Sequence, residues 1–132
     1  MKVLLLDTDP LRRMRICNLV KMIGKNCETI EAESLAELED MLNGEKPFDL
    51  ALVGPDIPET PIDAVRFLRR RFPDSYVSAY DSFLAYDEIR LRRILMAGAN
   101  MVFDERMAPL KIALLLRPML MGDASAPSML SA

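Results

Sequence analysis

Six carboxylates in this sequence stand just behind apolar runs of strand length: Asp7 and Asp9 after "KVLLL", Asp56 after "DLALVGP", Asp81 after "SYVSAY", and Asp104 and Glu105 after "MVF". Acids grouped in this way can hold a divalent cation or receive an arginine or lysine finger. They can also remain as solvated loop ends, with Asp81 or Ser82 capping a fourth helix and Asp104 a fifth. No lysine stands among them, so the group repels phosphate and attracts a cation, each unit charge at 4 Å contributing on the order of a few kcal/mol near a protein surface. The chain contains no histidine, which removes imidazole acid–base chemistry, His-based triads and most transition-metal sites. Catalysis would have to run on carboxylates, hydroxyls, thiols or amines.

These acids meet only if the runs before them lie side by side. "KVLLL" reads as a first strand closed by "DTDP", and Ile16, Leu19, Val20 and Ile23 form the stripe of a helix that Gly24 stops. "ETIEA" is a second strand. Ser34 with Glu37 makes a capping box for a helix buried through Leu35, Leu38, Met41 and Leu42 and ended by Asn43 and Gly44. "FDLALV" is apolar on both alternations, as suits a strand covered on both faces. Thr60 and Pro61 open a third helix through Ile62, Val65, Leu68 and Phe72, and Pro73 stops it. "SYVSAY", a helix over about 85–96, "MVF" and a helix opened by Pro109 complete the pattern. Five strand-then-helix units imply a doubly wound, five-stranded parallel α/β sheet of the flavodoxin-like class, with its functional crevice at the carboxyl ends of the strands. One domain over 1–121 is expected, with 122–132 a small, polar tail or linker.

The sequence resembles a response-regulator receiver domain over residues 1 to about 120. The resemblance is carried by "KVLLLDTDP", "FDLALVGPDIP", "FPD" and "LMAGANMVF", in order and at family spacing. It implies a phosphoacceptor aspartate after strand three, an acidic pair for Mg²⁺ after strand one, a hydroxyl after strand four and a lysine after strand five. At those positions stand Gly54; Asp7 with Thr8, Asp9 following out of register; Asp81, in preference to Ser78; and Glu105, followed by Arg106 where the family has proline. Asp56 falls where the family offers a backbone carbonyl to the metal. The resemblance therefore implies a degenerate pocket of Asp7, Thr8, Asp9, Gly54, Asp56, Asp81 and Glu105, without ordinary phosphotransfer and without enzymatic activity. No cofactor is expected beyond a weak Mg²⁺ site at Asp7, Asp9 and Asp56.

The same resemblance points to a protein partner, either a second copy or a signalling kinase or output protein, at the face made by helix four, strand five and helix five. Arg90, Arg93, Val102, Arg106, Leu110, Ile112 and Leu116 are the candidate contacts. The last helix is apolar on nearly every side, and Pro118 is expected to end or kink it, freeing Met119, Leu120 and Met121. Two other functions compete. "VLLLDTD" also resembles the first motif of haloacid-dehalogenase phosphatases, with Asp7 as nucleophile and Asp9 as general acid, although Leu11 departs from that motif. The arginines of helices three and four could instead sense a nucleotide.

Composition bounds these readings. The chain has 132 residues, 51% hydrophobic and 28% charged, a single-domain globular balance. No apolar run reaches membrane-spanning length, and the "VLLL" after Lys2 is too short for a signal-peptide core, so a cytoplasmic location is expected. Cys17 and Cys27 lack metal-site spacing and read as reduced, partly buried thiols. The net charge of −3 disfavours nonspecific nucleic-acid binding; of the seventeen basic residues twelve are arginines, and the groups Arg12, Arg13 and Arg15, Arg66 and Arg69 to Arg71, and Arg90, Arg92 and Arg93 are read as solvated outer helix faces in preference to a nucleotide or nucleic-acid patch.

Overall fold

The computed structural model describes residues 1–24, 26–42, 48–82 and 87–120. Five strands alternate with five helices: β1 (Lys2–Leu6), α1 (Pro10–Ile23), β2 (Glu28–Ala32), α2 (Leu35–Met41), β3 (Leu50–Val53), α3 (Pro61–Arg71), β4 (Tyr76–Asp81), α4 (Glu88–Met96), β5 (Met101–Asp104) and α5 (Pro109–Leu120). All neighbouring strands pair parallel, in the order β2-β1-β3-β4-β5. This is the expected doubly wound sheet. Its order reverses beside β1, so the crevice between the ends of β1 and β3 is the natural place for a site.

The sheet is buried on both faces. Leu4, Leu6, Ala51, Val53, Val77 and Val102 pack towards α2, α3 and α4, while Val3, Leu5, Leu50, Leu52, Met101 and Phe103 pack towards α1 and α5. Every residue of β3 is buried. Alternate residues thus enter opposite cores, which is why the strands read as unbroken apolar runs.

Helix starts follow local chemistry. The Asp9 carboxylate accepts from the Leu11 and Arg12 amides with Pro10 at the first position, Ser34 accepts from Glu37, and Thr60 accepts from Asp63 ahead of Pro61. The start of α4 differs from expectation: Asp87 caps it, not Asp81 or Ser82. Asp104 likewise caps no helix, its Oδ1 accepting from the Arg106 amide within the turn after β5. Met41, placed in the buried stripe of α2, is 41% exposed. Asn43, Gly44, Met121 and the expected tail lie outside the described residues.

Pro118 does not end α5, which continues to Leu120 with Met119 and Leu120 buried against the sheet. Pro118 lacks the amide that would bond the carbonyl four residues earlier, and burial of the two following side chains outweighs that cost. Those residues are core, not free contacts. Arg69, expected on a solvated outer face, turns in: its Nε donates to the Gly98 carbonyl at 2.9 Å, its Nη1 to the Pro73 and Ser75 carbonyls, and its Nη2 to Asn100 Oδ1. Gly98 has φ of +124°, and a Cβ there would stand 2.7 Å from Arg69 Cγ. Glycine therefore lets α3 dock on the turn into β5.

Ser78 is fully buried in mid-strand, opposite Leu52 and Met101, and its hydroxyl has no partner. It cannot serve the strand ends, which leaves Asp81 as the residue at the end of β4. Removing an unpaired buried hydroxyl relieves its desolvation cost, so Ser78→Ala is expected to leave stability unchanged or raise it by up to ~1 kcal/mol. Urea unfolding checks this, and a loss would show that the hydroxyl is paired.

Candidate functional site

Asp7 directly follows β1, and its side chain is fully buried. Its Oδ2 accepts from the Tyr80 hydroxyl at 2.6 Å, and its Oδ1 accepts from the Asp9 amide at 2.9 Å. Tyr80 is next to last in β4, packed on the α1 and α5 side of the sheet and stacked on Phe103 with ring centres 5.5 Å apart. Burial first, then the Asp7 charge and hydrogen bond, push the Tyr80 phenol far above its ordinary value, so it stays a donor.

Gly54 lies in the crevice between β1 and β4. Its amide donates to the Leu6 carbonyl at 2.8 Å, continuing the β3 register by one residue. A Cβ at this position would stand 2.6 Å from Asp7 Oδ2, 2.7 Å from Asp7 Cγ and 3.0 Å from the Tyr80 hydroxyl. The Asp7–Tyr80 hydrogen bond therefore fills the space where a side chain would begin.

Arg12, on the first turns of α1, gathers the acids. Its Nη1 reaches Asp56 Oδ2 at 3.0 Å and Asp7 Oδ1 at 3.4 Å, its Nη2 approaches Asp9 Oδ2 at 3.7 Å, and its Nε lies 2.8 Å from Glu105 Oε2. That last contact is an ion pair without hydrogen-bond angles. Burial alone would lower the guanidinium's proton affinity, but the Asp56 hydrogen bond and the charges of Asp7, Glu105 and Asp56 outweigh it and raise the pKa. Arg12 is thus a permanent cation at the centre of the cluster. Thr8 donates to the Asp56 carbonyl, fixing the "PDIP" turn over β1. Glu105 is further held by Arg15 at 3.4 Å and by the Ser82 hydroxyl at 2.8 Å.

Response regulators are among the solved structures with the same fold. A LuxR family DNA-binding response regulator from Silicibacter pomeroyi superposes with a TM-score of 0.77 at 22% identity, covering 93% of each chain. A response regulator from Thermotoga maritima gives 0.77 at 19% identity, covering 91% of this chain and 97% of that one. A response regulator receiver domain protein from Clostridium thermocellum gives 0.76 at 15% identity over 92% and 94%. This chain has the receiver fold. No protein-family model matches the sequence. No curated protein matches it either.

Within the receiver fold, four of the expected pocket acids converge, but around Arg12 and Tyr80, which the sequence pattern does not place there. Asp7, Asp9, Asp56 and Glu105 are brought together. Asp81 stands apart from Arg12, paired with Arg90 Nη1 of α4 at 3.0 Å. Among the described residues no group of three His, Cys, Asp or Glu side chains is arranged to hold a metal ion. The expected Mg²⁺ set of Asp7, Asp9 and Asp56 is occupied by the chain's own guanidinium. The cluster does attract a cation, and the cation is Arg12. The signal for it lay in the spacing, because a residue three after the Asp9 cap and five after Asp7 returns over the strand end. Nor is Asp7 open to a substrate, as the haloacid-dehalogenase reading requires.

Several expected interface residues are also placed elsewhere. Val102, Ile112 and Leu116 are core, between 0% and 2% exposed, because they face the chain's own sheet and helices. Arg90 turns to Asp81, and Arg106 pairs with Asp104 at 2.9 Å, the bond that lowers the Asp104 pKa. Arg93 and Leu110 are exposed as expected. Cys17 and Cys27 are free and half-buried, and burial with the nearby Glu31 pushes the Cys17 thiol up to about 11, so it is not a nucleophile at neutral pH. No helix among the described residues is long and apolar enough to cross a membrane.

Removing Arg12 leaves Asp7 buried without a counter-charge and Glu105 with Arg15 alone, so Arg12→Ala is expected to cost about 3 kcal/mol in urea unfolding. A Cβ at Gly54 meets atoms that are themselves hydrogen-bonded, so Gly54→Asp is expected to lose ~1–3 kcal/mol from overpacking. Tyr80 supplies a pH signature. Its folded pKa is raised, so its contribution is complete below the unfolded value of about 10 and declines above it, where the unfolded state alone releases the proton. Above that pH the wild type should lose stability faster than Tyr80→Phe, and parallel slopes would contradict the buried phenol.

Proposed function

We propose that this chain is a receiver-fold domain of bacterial-type two-component signalling that acts by binding other proteins, without accepting a phosphoryl group on aspartate. The observation that carries this reading is the contact at Gly54: the place where an acceptor side chain would start is taken by Asp7 and Tyr80. The surroundings support it. A phosphoryl group in flight needs positive charge from a metal and a lysine, whereas here Arg12 already satisfies four carboxylates and Glu105 stands at the lysine position. Asp56, the nearest exposed carboxylate, is tied by Arg12 and flanked by Pro55 and Pro58. The domain's work then lies in its surfaces, with a kinase, an output protein or another copy as partner, and not in an enzymatic reaction.

A nucleotide-sensing role has less support, because the arginines of α3 and α4 are largely engaged. Arg69 binds carbonyls, Arg66 pairs with Asp63, Arg90 with Asp81 and Arg92 with Glu88, and Arg71 lies over Phe67 and Phe72. Homodimerisation through the α4-β5-α5 face is favoured by a separate observation: on α4, Ile89 and Met96 are 68% and 84% exposed, on either side of Arg93. Light scattering would then report a dimer that Met96→Glu dissociates.

Incubation with acetyl phosphate and Mg²⁺ followed by intact-mass measurement tests the main reading. No phosphoryl adduct is expected on the wild type or on Gly54→Asp. An adduct that Asp56→Asn removes would overturn it.

A further inference from the structure

At the end of the sheet opposite the crevice, where β1, β3 and β4 begin, lies a cavity of about 390 Å³. Phe48 and Met119, 2% and 1% exposed, form its floor, and the half-buried Phe72 and Tyr76 also line it. The Phe48 and Phe72 rings meet edge to face, their centres 4.7 Å apart. The backbone behind them is fixed: the Asp49 amide donates to the Lys2 carbonyl at 2.8 Å, the Tyr76 amide to the Asp49 carbonyl at 3.0 Å, and the Ser75 hydroxyl to the Phe48 carbonyl. Arg71 and Asp74 line the same cavity and are exposed. They carry opposite charges, yet they do not pair with each other, and neither side chain has a hydrogen bond or ion pair among the described residues. Arg71 lies instead over the Phe67 and Phe72 rings, 5.8 and 5.6 Å from their centres, which leaves its N–H edges unbonded. In the grooves beside α1, by contrast, Arg13 is already matched by Glu31 and Arg15 by Glu105. An aromatic wall of this size with a few unmatched polar groups at its rim is the make-up of a small-molecule site.

We propose that this cavity binds a small aromatic zwitterion, of the chemical class of a free aromatic α-amino acid. The ligand's ring is received by Phe72 and Tyr76, where edge and offset contacts between rings are favourable. Its carboxylate meets the N–H edges of Arg71, whose planar fork suits that group, and its ammonium meets Asp74. Because the walls are already hydrogen-bonded to one another, little ordering accompanies binding. A molecule with a single charge leaves either Arg71 or Asp74 unmatched, and an apolar one leaves both. The residue at a peptide end carries only one of the two charges, so a free amino acid fits better than a peptide terminus. The site shares no residue with the crevice, so it goes beyond the protein-binding role and stands whether or not the domain accepts a phosphoryl group.

The test titrates the isotope-labelled chain with L-phenylalanine and follows its amide resonances. Saturable shifts centred on Phe48, Phe72, Ser75 and Tyr76 are expected, with a Kd of about 2 mM or tighter for a ligand of this size. Phenylalaninamide, which keeps only the ammonium, and N-acetylphenylalanine, which keeps only the carboxylate, stand for the two peptide ends and should each bind about fivefold more weakly. L-Alanine, without the ring, should not saturate. Asp74→Asn should weaken L-phenylalanine about fivefold and leave N-acetylphenylalanine unchanged, while Arg71→Gln should weaken L-phenylalanine similarly and leave phenylalaninamide unchanged. Loss of fold would not produce that selectivity. Absence of saturation, equal binding of either capped form, L-alanine binding as tightly, or shifts centred on the crevice would each overturn the proposal. So would shifts at Phe48 and Tyr76 produced by Leu130→Ser without ligand, which would assign the cavity to residues after Leu120. A phosphoryl adduct would overturn the acceptor-free reading while leaving these outcomes unchanged, so the two failures are distinguishable.

Discussion

A carboxylate buried at the end of a central strand costs several kcal/mol unless its charge is met, and Asp7 is fully buried at the end of β1. Three groups meet it: the Tyr80 hydroxyl, the Asp9 amide and the Arg12 guanidinium. Each has a structural consequence. The Tyr80 hydroxyl reaches Asp7 across the end of β3, so a Cβ at position 54 would have to displace the Asp7 carboxylate from that hydrogen bond. The Asp9 amide is presented by the turn that also makes Asp9 the cap of α1. Arg12 reaches Asp7 because α1 begins at Pro10, and from there it also ties Asp56 and Glu105.

The strand ends are cross-linked as a result. Arg12 joins the start of α1 to the turns after β3 and β5, Ser82 joins the end of β4 to Glu105, and Arg90 joins α4 to Asp81. The opposing charges sit within one chain and are preorganised, so the attraction an acid cluster would exert on an external ion is already satisfied. On the function proposed above, a domain built this way works through the surfaces of its helices and not through its crevice.

The layout was legible because it rests on local signals. Apolar runs closed by "DTDP" and "GPDIP", the Ser34 and Thr60 caps and the stripes of α1 and α3 each specify an element from a few neighbouring residues, and five such units leave one sheet topology. The site was legible only in part. Asp7, Asp56 and Glu105 could be grouped because each follows a strand. Tyr80 was hidden inside an apolar run, where its hydroxyl reads as incidental until a buried acceptor is placed opposite it. Arg12 was grouped with outward arginines, since helix periodicity describes which face a residue starts from and a long side chain can still curl back over the strand end. The alternative in which Asp81 or Ser82 and Asp104 cap helices fails because Asp87 caps α4 and Asp104 turns to Arg106. Val102, Ile112 and Leu116 were placed at a partner face by the family resemblance and the apolar last helix, neither of which distinguishes a core side of an element from its exposed side.

The central claim is that Arg12 and the Asp7–Tyr80 hydrogen bond already hold the positions a metal and a phosphoryl group would take. Amide chemical shifts of the labelled chain, followed during titration with Mg²⁺ and then beryllofluoride, measure this most directly. The account predicts no saturable shift at Asp7, Gly54, Asp81 or Glu105. Saturable, Mg²⁺-dependent shifts centred on those residues would contradict it.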